Sequence, residues 1–531
     1  MSIARTPRGG MVAVSLAVLA GMGCEGGLSL LGDAGSDTVD SSAAEDGDSP
    51  EFGDGGDVGE SAIDDGALGE DAAAACPVWV APRDSSPLDD GTREHPWGGI
   101  QAAVDARGSC ERLVLLAGEA ETAYRGGTLL ELAEGEMLVI EGDPDAVTRP
   151  RLDGGRVGRV LEARGAGDLT LRRLSFTEGV MMTGGCLDAE VRSLTLVDTD
   201  WSACTSDDDG GAVRVYADDL EVLDSSFERN AAGAEGGAIA AEGPPASAIV
   251  RIDGCRFFDN RASSGGAVAF LAPTTDTLVT GSRFTHNVAR SSGSAIWGYL
   301  GGRIAGNRFE QNVGGVDGGA VAGSGGWYLS EIAQNVFIDN ATANIDAGGT
   351  SCCDAAAAID LSPAYVTIRN NLFVRNSSLP DPTYGVAGCG AVRLGFGAPR
   401  VLNNTFVDNS AEDGVADVSA SNADLRSNIL SGDSGPRVVN EAVVGGWAII
   451  DFNAAWGGAV PVYAGSAPVG DGNITADPQF VDRAADDYRL TPGSACIDAG
   501  APGAEDVDLD GTRNDIGAFG GPGGSWTPLP P

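Results

Sequence analysis

The side chains best suited by type and spacing to do chemistry are aromatic and acidic. Trp297 and Tyr299 follow one Gly-x-Ala-Ile sequence, and Trp327 and Tyr328 follow the next Gly-Gly-Ala-Val. Aromatic faces pack against the apolar side of sugar rings, so a strip of them one repeat apart suits a linear glycan. The tryptophans would serve equally well as core. Acidic residues stand before several glycine pairs: Asp209, with Asp207 and Asp208 beside it, then Glu235 and Asp317. Stacked carboxylates can share Ca²⁺, but Ser264 and Ser292 interrupt the column and favour a solvated turn edge. Asp506, Asp508 and Asp510, followed by Gly511, have the alternate spacing that opens a Ca²⁺ loop. The twelfth position is Gly517 rather than a bidentate glutamate, which disfavours an EF-hand and leaves a weak cation site on a turn. No other cofactor is suggested.

What is missing narrows the chemistry further. The chain contains no lysine; its cations are arginines and the histidines His95 and His286. Eliminative cleavage of an acidic polysaccharide needs a base, usually Lys or Arg, to take the proton α to a carboxylate, and a cation to hold the developing charge. The arginines show no cluster along the sequence. A formal net charge of −44 argues against nucleic acid as a partner. No Cys-x-x-Cys spacing or histidine partner suggests zinc.

These residues are carried on a repeated phrase, Phe-x-x-Asn, a short gap, then Gly-Gly-Ala-Val/Ile. It appears at Phe227 and Asn230 with Gly236, at Phe257 and Asn260 with Gly265, at Phe284 and Asn287 with Gly293, and at Phe309 and Asn312 with Gly318. Looser copies begin at Phe337, Phe373 and Phe406. A period of roughly 25–30 residues indicates stacked repeats. Each Phe is expected to point inward and stack on the next, about 4.8 Å away. Each Asn is expected to take a left-handed turn conformation and to bond its neighbours above and below. The glycine pair bends the chain, and Ala-Val/Ile returns to the core. Nine such aromatic positions run from Phe176 through Trp201 to Phe406, giving a stack on the order of 45–60 Å. Short Val/Ile/Leu strands alternate with Asp/Asn/Gly/Ser turns, and no amphipathic window of helix length separates them, which disfavours alternating α/β. The expected fold is all-β: a single-stranded right-handed parallel β-helix with a short N-terminal capping helix and an irregular C-terminal cap.

The ends of the chain carry the remaining signals. Arg5 and Arg8 precede an apolar run over 11–20, which reads as a secretory signal too short to span a membrane. The ending at Cys24 resembles a bacterial lipobox, with Gly23 fitting and Gly21 and Met22 departing. That resemblance implies lipidation of Cys24; ordinary cleavage nearby is the alternative. Residues 25–75 have no basic side chain and few apolar ones, so they are expected to form a disordered acidic tether. The segment from Cys76 reads as a strand, an Asp-Gly-Thr turn, a helix with apolar residues at Trp97, Ile100, Ala103 and Val104, and a second strand. It resembles the opening of secreted, pectin-lyase-like parallel β-helix proteins, in which such a helix covers the first open edge. Cys76 and Cys110 flank this unit and are expected to pair in an oxidising exterior. Cys186–Cys204 and Cys353–Cys389 are candidate staples between rungs, and the remaining odd count leaves at least one thiol free.

The repeated phrase, over 201–409, resembles the repeats of polymorphic outer-membrane proteins, which are surface adhesins. Residues 477–520 resemble the closing segment of bacterial surface β-helix proteins of the choice-of-anchor Q type, and are expected to cap the end of the stack. The polygalacturonase motifs Gly-His-Gly and Arg-x-Lys do not occur, nor does the Asp-Pro-His motif of alginate epimerases. The domain reading is therefore 1–24 signal, 25–75 tether, 76–456 β-helix and 457–531 cap and tail. The functional expectation is a monomeric outer-membrane lipoprotein, facing the exterior and touching the membrane only through its lipid, that binds a glycan or surface without catalysis. The alternative is a lyase or other carbohydrate-active enzyme acting on an acidic polysaccharide.

Overall fold

The computed structural model describes residues 76–530 except 119–121, 244–247, 274–275, 316–317, 344–354, 380–387, 413, 443–445, 447 and 459–461, and omits the side chains of 324–330. Signal, tether, Cys24, Asp317, Cys352 and Cys353 lie outside the described residues. The chain coils into a right-handed parallel β-solenoid of about 11 turns. A full turn contributes two consecutive strands to a broad sheet and a strand of two or three residues to a second sheet of 14 strands, and nine of the turns add a two-residue strand to a third sheet. At 4.7–4.9 Å per strand, the 14-stranded sheet is about 60 Å long.

The phenylalanines fill as expected. Rings from Phe176 to Phe406 form one continuous column, with neighbouring centroids 3.9–5.9 Å apart and planes within 9° of parallel. The column closes with Leu152 and Tyr124 at one end and Leu430 and Ala455 at the other.

The asparagines of the phrase bond their neighbours above and below as expected, but they do not take the left-handed conformation themselves. Asn230, Asn260, Asn287, Asn312, Asn340, Asn376 and Asn409 are all fully buried. The residue before each one takes the left-handed φ: Arg229, Asp259, His286, Gln311, Asp339, Arg375 and Asp408 lie between +51° and +57°. An inward Asn reaches the backbone of the adjacent rung only if the preceding residue makes the corner. In each step one Oδ1 accepts the backbone N–H and the Nδ2–H of the preceding asparagine, as Asn287 does for Asn260 at 3.1 and 3.0 Å. A second, parallel ladder runs through Asn307, Asn335, Asn371, Asn404, Asn428, Asn453 and Asn473 at the opposite corner. Its asparagine stands two residues before the aromatic position.

The glycine pairs divide their work. Gly236, Gly265 and Gly293 take φ near +65°. The second glycine has no room: a Cβ on Gly237 would sit 2.1 Å from the carbonyl oxygen of Gly266 on the next rung.

Both ends differ from expectation in instructive ways. The helix is Ile100–Ala106, burying Ile100 and Ala103. Trp97 is not on it; Trp97–Gly98 instead pairs with Val80 and Ala81. Cys76 and Cys110 are bonded across this unit, and Cys186–Cys204 staples the next corner; Cys255, Cys389 and Cys496 are buried thiols. The solenoid runs one turn past 456, because Ile474–Thr475 pairs with Ala454 and Ala455. The following segment does not close the end. It turns back and runs along the outer face of the 14-stranded sheet. There Tyr488 and Ala518, with Phe480, Phe519 and Trp526 against them, cover Val336, Ile338, Leu372, Val374 and Val407. Corner side chains hold this strap by its backbone. Asn370 donates to the carbonyls of Ala518 and Gly520, Asn403 to that of Asp515, and Gln334 to that of Gly523. Arg308, five rungs back from Ala454, reaches Leu529. A strap is favoured over a plug because the flanks of the aromatic position are largely apolar from Val336 onward, and an apolar outer face needs a cover along its length.

Candidate functional site

The strap and the second strand of each turn enclose a groove of about 470 Å³, within the ~300–1,000 Å³ range of small-molecule sites. Its floor steps one rung at a time from Glu331 to Thr367 to Arg400, and in parallel from Arg369 to Leu402. Glu505, Asp506 and Pro522 of the strap form the opposing wall. Alternation within each strand turns Ile332, Ile368 and Val401 into the core and their neighbours outward.

The floor is an interleaved ladder of guanidinium and carboxylate groups. Glu331 lies between Arg303, at 2.9 Å, and Arg369. Asp424, the next step beyond Arg400, takes Arg426 at 2.7 Å and Arg400 at 3.5 Å. The bond to Asp424 is the main cause holding Arg426 above its ordinary pKa. Burial raises the carboxyl of Asp506 against the pull of Arg426, which stands 3.8 Å away. The result is a cleft rich in donors and acceptors, with Leu402 and Pro522 as apolar contact surface.

This arginine cluster is absent from any simple reading of the sequence, because the rungs vary in length. Counting from the second asparagine ladder makes it legible: Arg303, Glu331, Thr367, Arg400 and Asp424 each stand four residues before Asn307, Asn335, Asn371, Asn404 and Asn428.

The aromatic strip is only half assembled. Trp297 is half-buried, and Tyr299 is 45% exposed on the outer face. The register sets Ala322 and Ser324 beside them, not Trp327 and Tyr328, which stand three and more residues further along the strand. The side chains of Trp327 and Tyr328 lie outside the described ones. Tyr216, 41% exposed, occupies the same outer column as Tyr299, three rungs earlier. Tyr299 leads, four residues on, to Arg303 at the head of the groove.

Asp506, Asp508 and Asp510 are not brought together. Asp506 faces the groove; Asp508 accepts the backbone N–H groups of Asp515 and Gly521, and burial raises it to about 6. Asp510 accepts from the hydroxyl and N–H of Thr512, which lower its pKa. The loop closes on itself through the backbone N–H of Asp508, which donates to the carbonyl of Thr512. Among the described residues no three potential ligands converge as a metal site. Asp209 and Glu235 do meet, on successive rungs before their glycine pairs. Burial, a hydrogen bond to Asp209 and the negative charges of Asp209 and Asp208 push Glu235 up to about 7. Among the described residues no helix is long and apolar enough to cross a membrane.

Residues 245–430, about a third of the chain, match the family model described as right handed beta helix region. Among solved structures, the crystal structure of pectate lyase Pel9A aligns over 83% of this chain and 96% of that one, at 14% identity and a TM-score of 0.29. Among curated proteins nothing matches the chain.

Proposed function

We propose that this β-solenoid binds a polysaccharide along the groove between its arginine–carboxylate ladder and the C-terminal strap, without cleaving it. The observation that carries the reading is the ladder itself: alternating donors and acceptors recur at rung spacing across three turns, beside an apolar strip. Vicinal hydroxyls both donate and accept, and the planar guanidinium fork pairs with two oxygens at once. Exposed Tyr299 and Tyr216 extend the path toward the N-terminal rungs. Catalysis has no support in the groove. Each guanidinium of the ladder is held in an ion pair, and the carboxylates of Glu331 and Asp424 are each engaged by two guanidinium groups, so neither side is free to take a proton.

The Arg369→Ala/Arg400→Ala double variant tests this. Affinity electrophoresis in polysaccharide gels is expected to show at least a tenfold loss of retention, since two charged hydrogen bonds are each worth about 1.5–3 kcal/mol. Unchanged retention rejects the groove as the site. The catalytic alternative has one observation in its favour, the neighbouring carboxyl groups Asp209 and Glu235, of which Glu235 is held well above the usual carboxylate range by burial and by Asp209. Release of reducing or unsaturated ends from the same polymers would establish it and remove the non-catalytic reading.

Display on an outer surface completes the proposal. Two disulfides suit an oxidising compartment, and the sequence at Cys24 supplies a lipid attachment point. Cys24→Ala is expected to move the protein from the membrane fraction to the medium; persistence in the membrane counts against lipid anchoring.

A further inference from the structure

We infer that the polymer bound in the groove is uncharged and is read through its hydroxyl groups. The inference rests on the binding function proposed above and specifies its ligand. The four guanidinium groups of Arg303, Arg369, Arg400 and Arg426 are matched by four carboxylates, Glu331 and Asp424 within the ladder and Glu505 and Asp506 on the opposing wall, so the groove is balanced in charge. No guanidinium in the ladder therefore stands waiting for a carboxylate from the ligand.

The long-range field points the same way. Only 15 of the chain's 77 acidic residues fall in the 25–75 segment, so most of the −44 net charge belongs to the remainder. A polyuronate approaching this surface is repelled before it meets any specific contact. A polycation is attracted everywhere on the surface, so its binding reports the net charge rather than the groove. What remains matched to the site is a neutral sugar chain. Its vicinal hydroxyls bridge guanidinium and carboxylate, and its ring C–H face lies on Leu402 and Pro522.

Retention of the intact protein is measured on arabinoxylan, chitosan and polygalacturonate at low and at moderate salt. Retention on arabinoxylan that changes less than about twofold with salt is the expected result, because direct hydrogen bonds between uncharged partners are little screened. Tighter retention on polygalacturonate overturns the inference and leaves the binding function standing. Retention on chitosan alone, abolished by salt, overturns it too. Retention on none of the three removes the binding function and the inference together.

Discussion

Asn287→Ala is expected to lower the stability of the solenoid by about 4 kcal/mol, while His286→Gly, one residue earlier, leaves it within about 1 kcal/mol. The difference follows from which residue faces inward. The Asn287 Oδ1 takes the N–H of Asn260 at 3.1 Å and its Nδ2–H at 3.0 Å, and its own Nδ2 donates to the carbonyl of Phe257 and to Asn312. Truncation orphans two buried donors at once. Each unsatisfied group costs about 1–3 kcal/mol, and no water reaches the fully buried site to replace the partner. His286 sits at φ +57°, where glycine is at ease and a side chain is strained. Its substitution gives up only an edge contact with Phe258. Urea unfolding followed by tryptophan emission, with Trp201 in the aromatic column as reporter, separates the two. Equal midpoints for Asn287→Ala and the parent would show that the ladder is ornamental.

That contrast also marks how far the sequence could be read. Phenylalanine and paired glycine were legible because one physical demand governs each: volume in the column, and a bend with no space for a Cβ. The asparagine was legible as a ladder but not as an inward one, because a turn residue and a buried ladder residue have the same composition and spacing. The second ladder was written just as plainly, as Asn two residues before the aromatic position at Asn335, Asn371 and Asn404. The groove was hidden by unequal rung lengths.

One feature had a signal pointing the wrong way. In the alanine position of the Gly-Gly-Ala phrase, two successive rungs carry Asp417 and Arg437, which by type belong on a surface. Both are buried, at 0% and 2% side-chain exposure, and pair at 2.7 Å, with Asn409 donating to Asp417. Burial raises Asp417 to about 6 against the pull of Arg437. Space for the arginine exists because the aromatic column has ended there, leaving Leu430 and Ala455. The pair thus depends on a change in core volume that is visible only once the rungs are stacked.

Truncation after Ala476 is expected to convert the protein from a monodisperse species to an associating one. In the earlier rungs the residues flanking the aromatic position are largely polar, as with Ser226 and Glu228, Arg283 and Thr285, Arg308 and Glu310. From Val336 onward they become Val336 and Ile338, then Leu372 and Val374, with Val407 and Ile429 after them. These side chains are buried only because the strap lies over them. Removing it uncovers a flat apolar strip about 15–20 Å long, on a sheet whose regularity suits face-to-face association. Each uncovered Val, Leu or Ile forfeits up to about 1.5–3 kcal/mol of burial. The loss is local, however, because a solenoid's stability is summed rung by rung and the inner core is untouched. The truncated chain should therefore fold yet elute as multimers in size exclusion with light scattering, and should bind an apolar dye. Copying the polar flanks of the earlier rungs, with Val336→Arg, Ile338→Glu, Leu372→Arg and Val374→Thr in the truncated chain, should restore the monomer. It should not restore glycan retention, because the wall carrying Glu505, Asp506 and Pro522 is gone. A truncated chain that stays monomeric and binds no dye would mean that the strap is not the cover. A rescued monomer that still holds the polymer would place the binding site on the solenoid face alone.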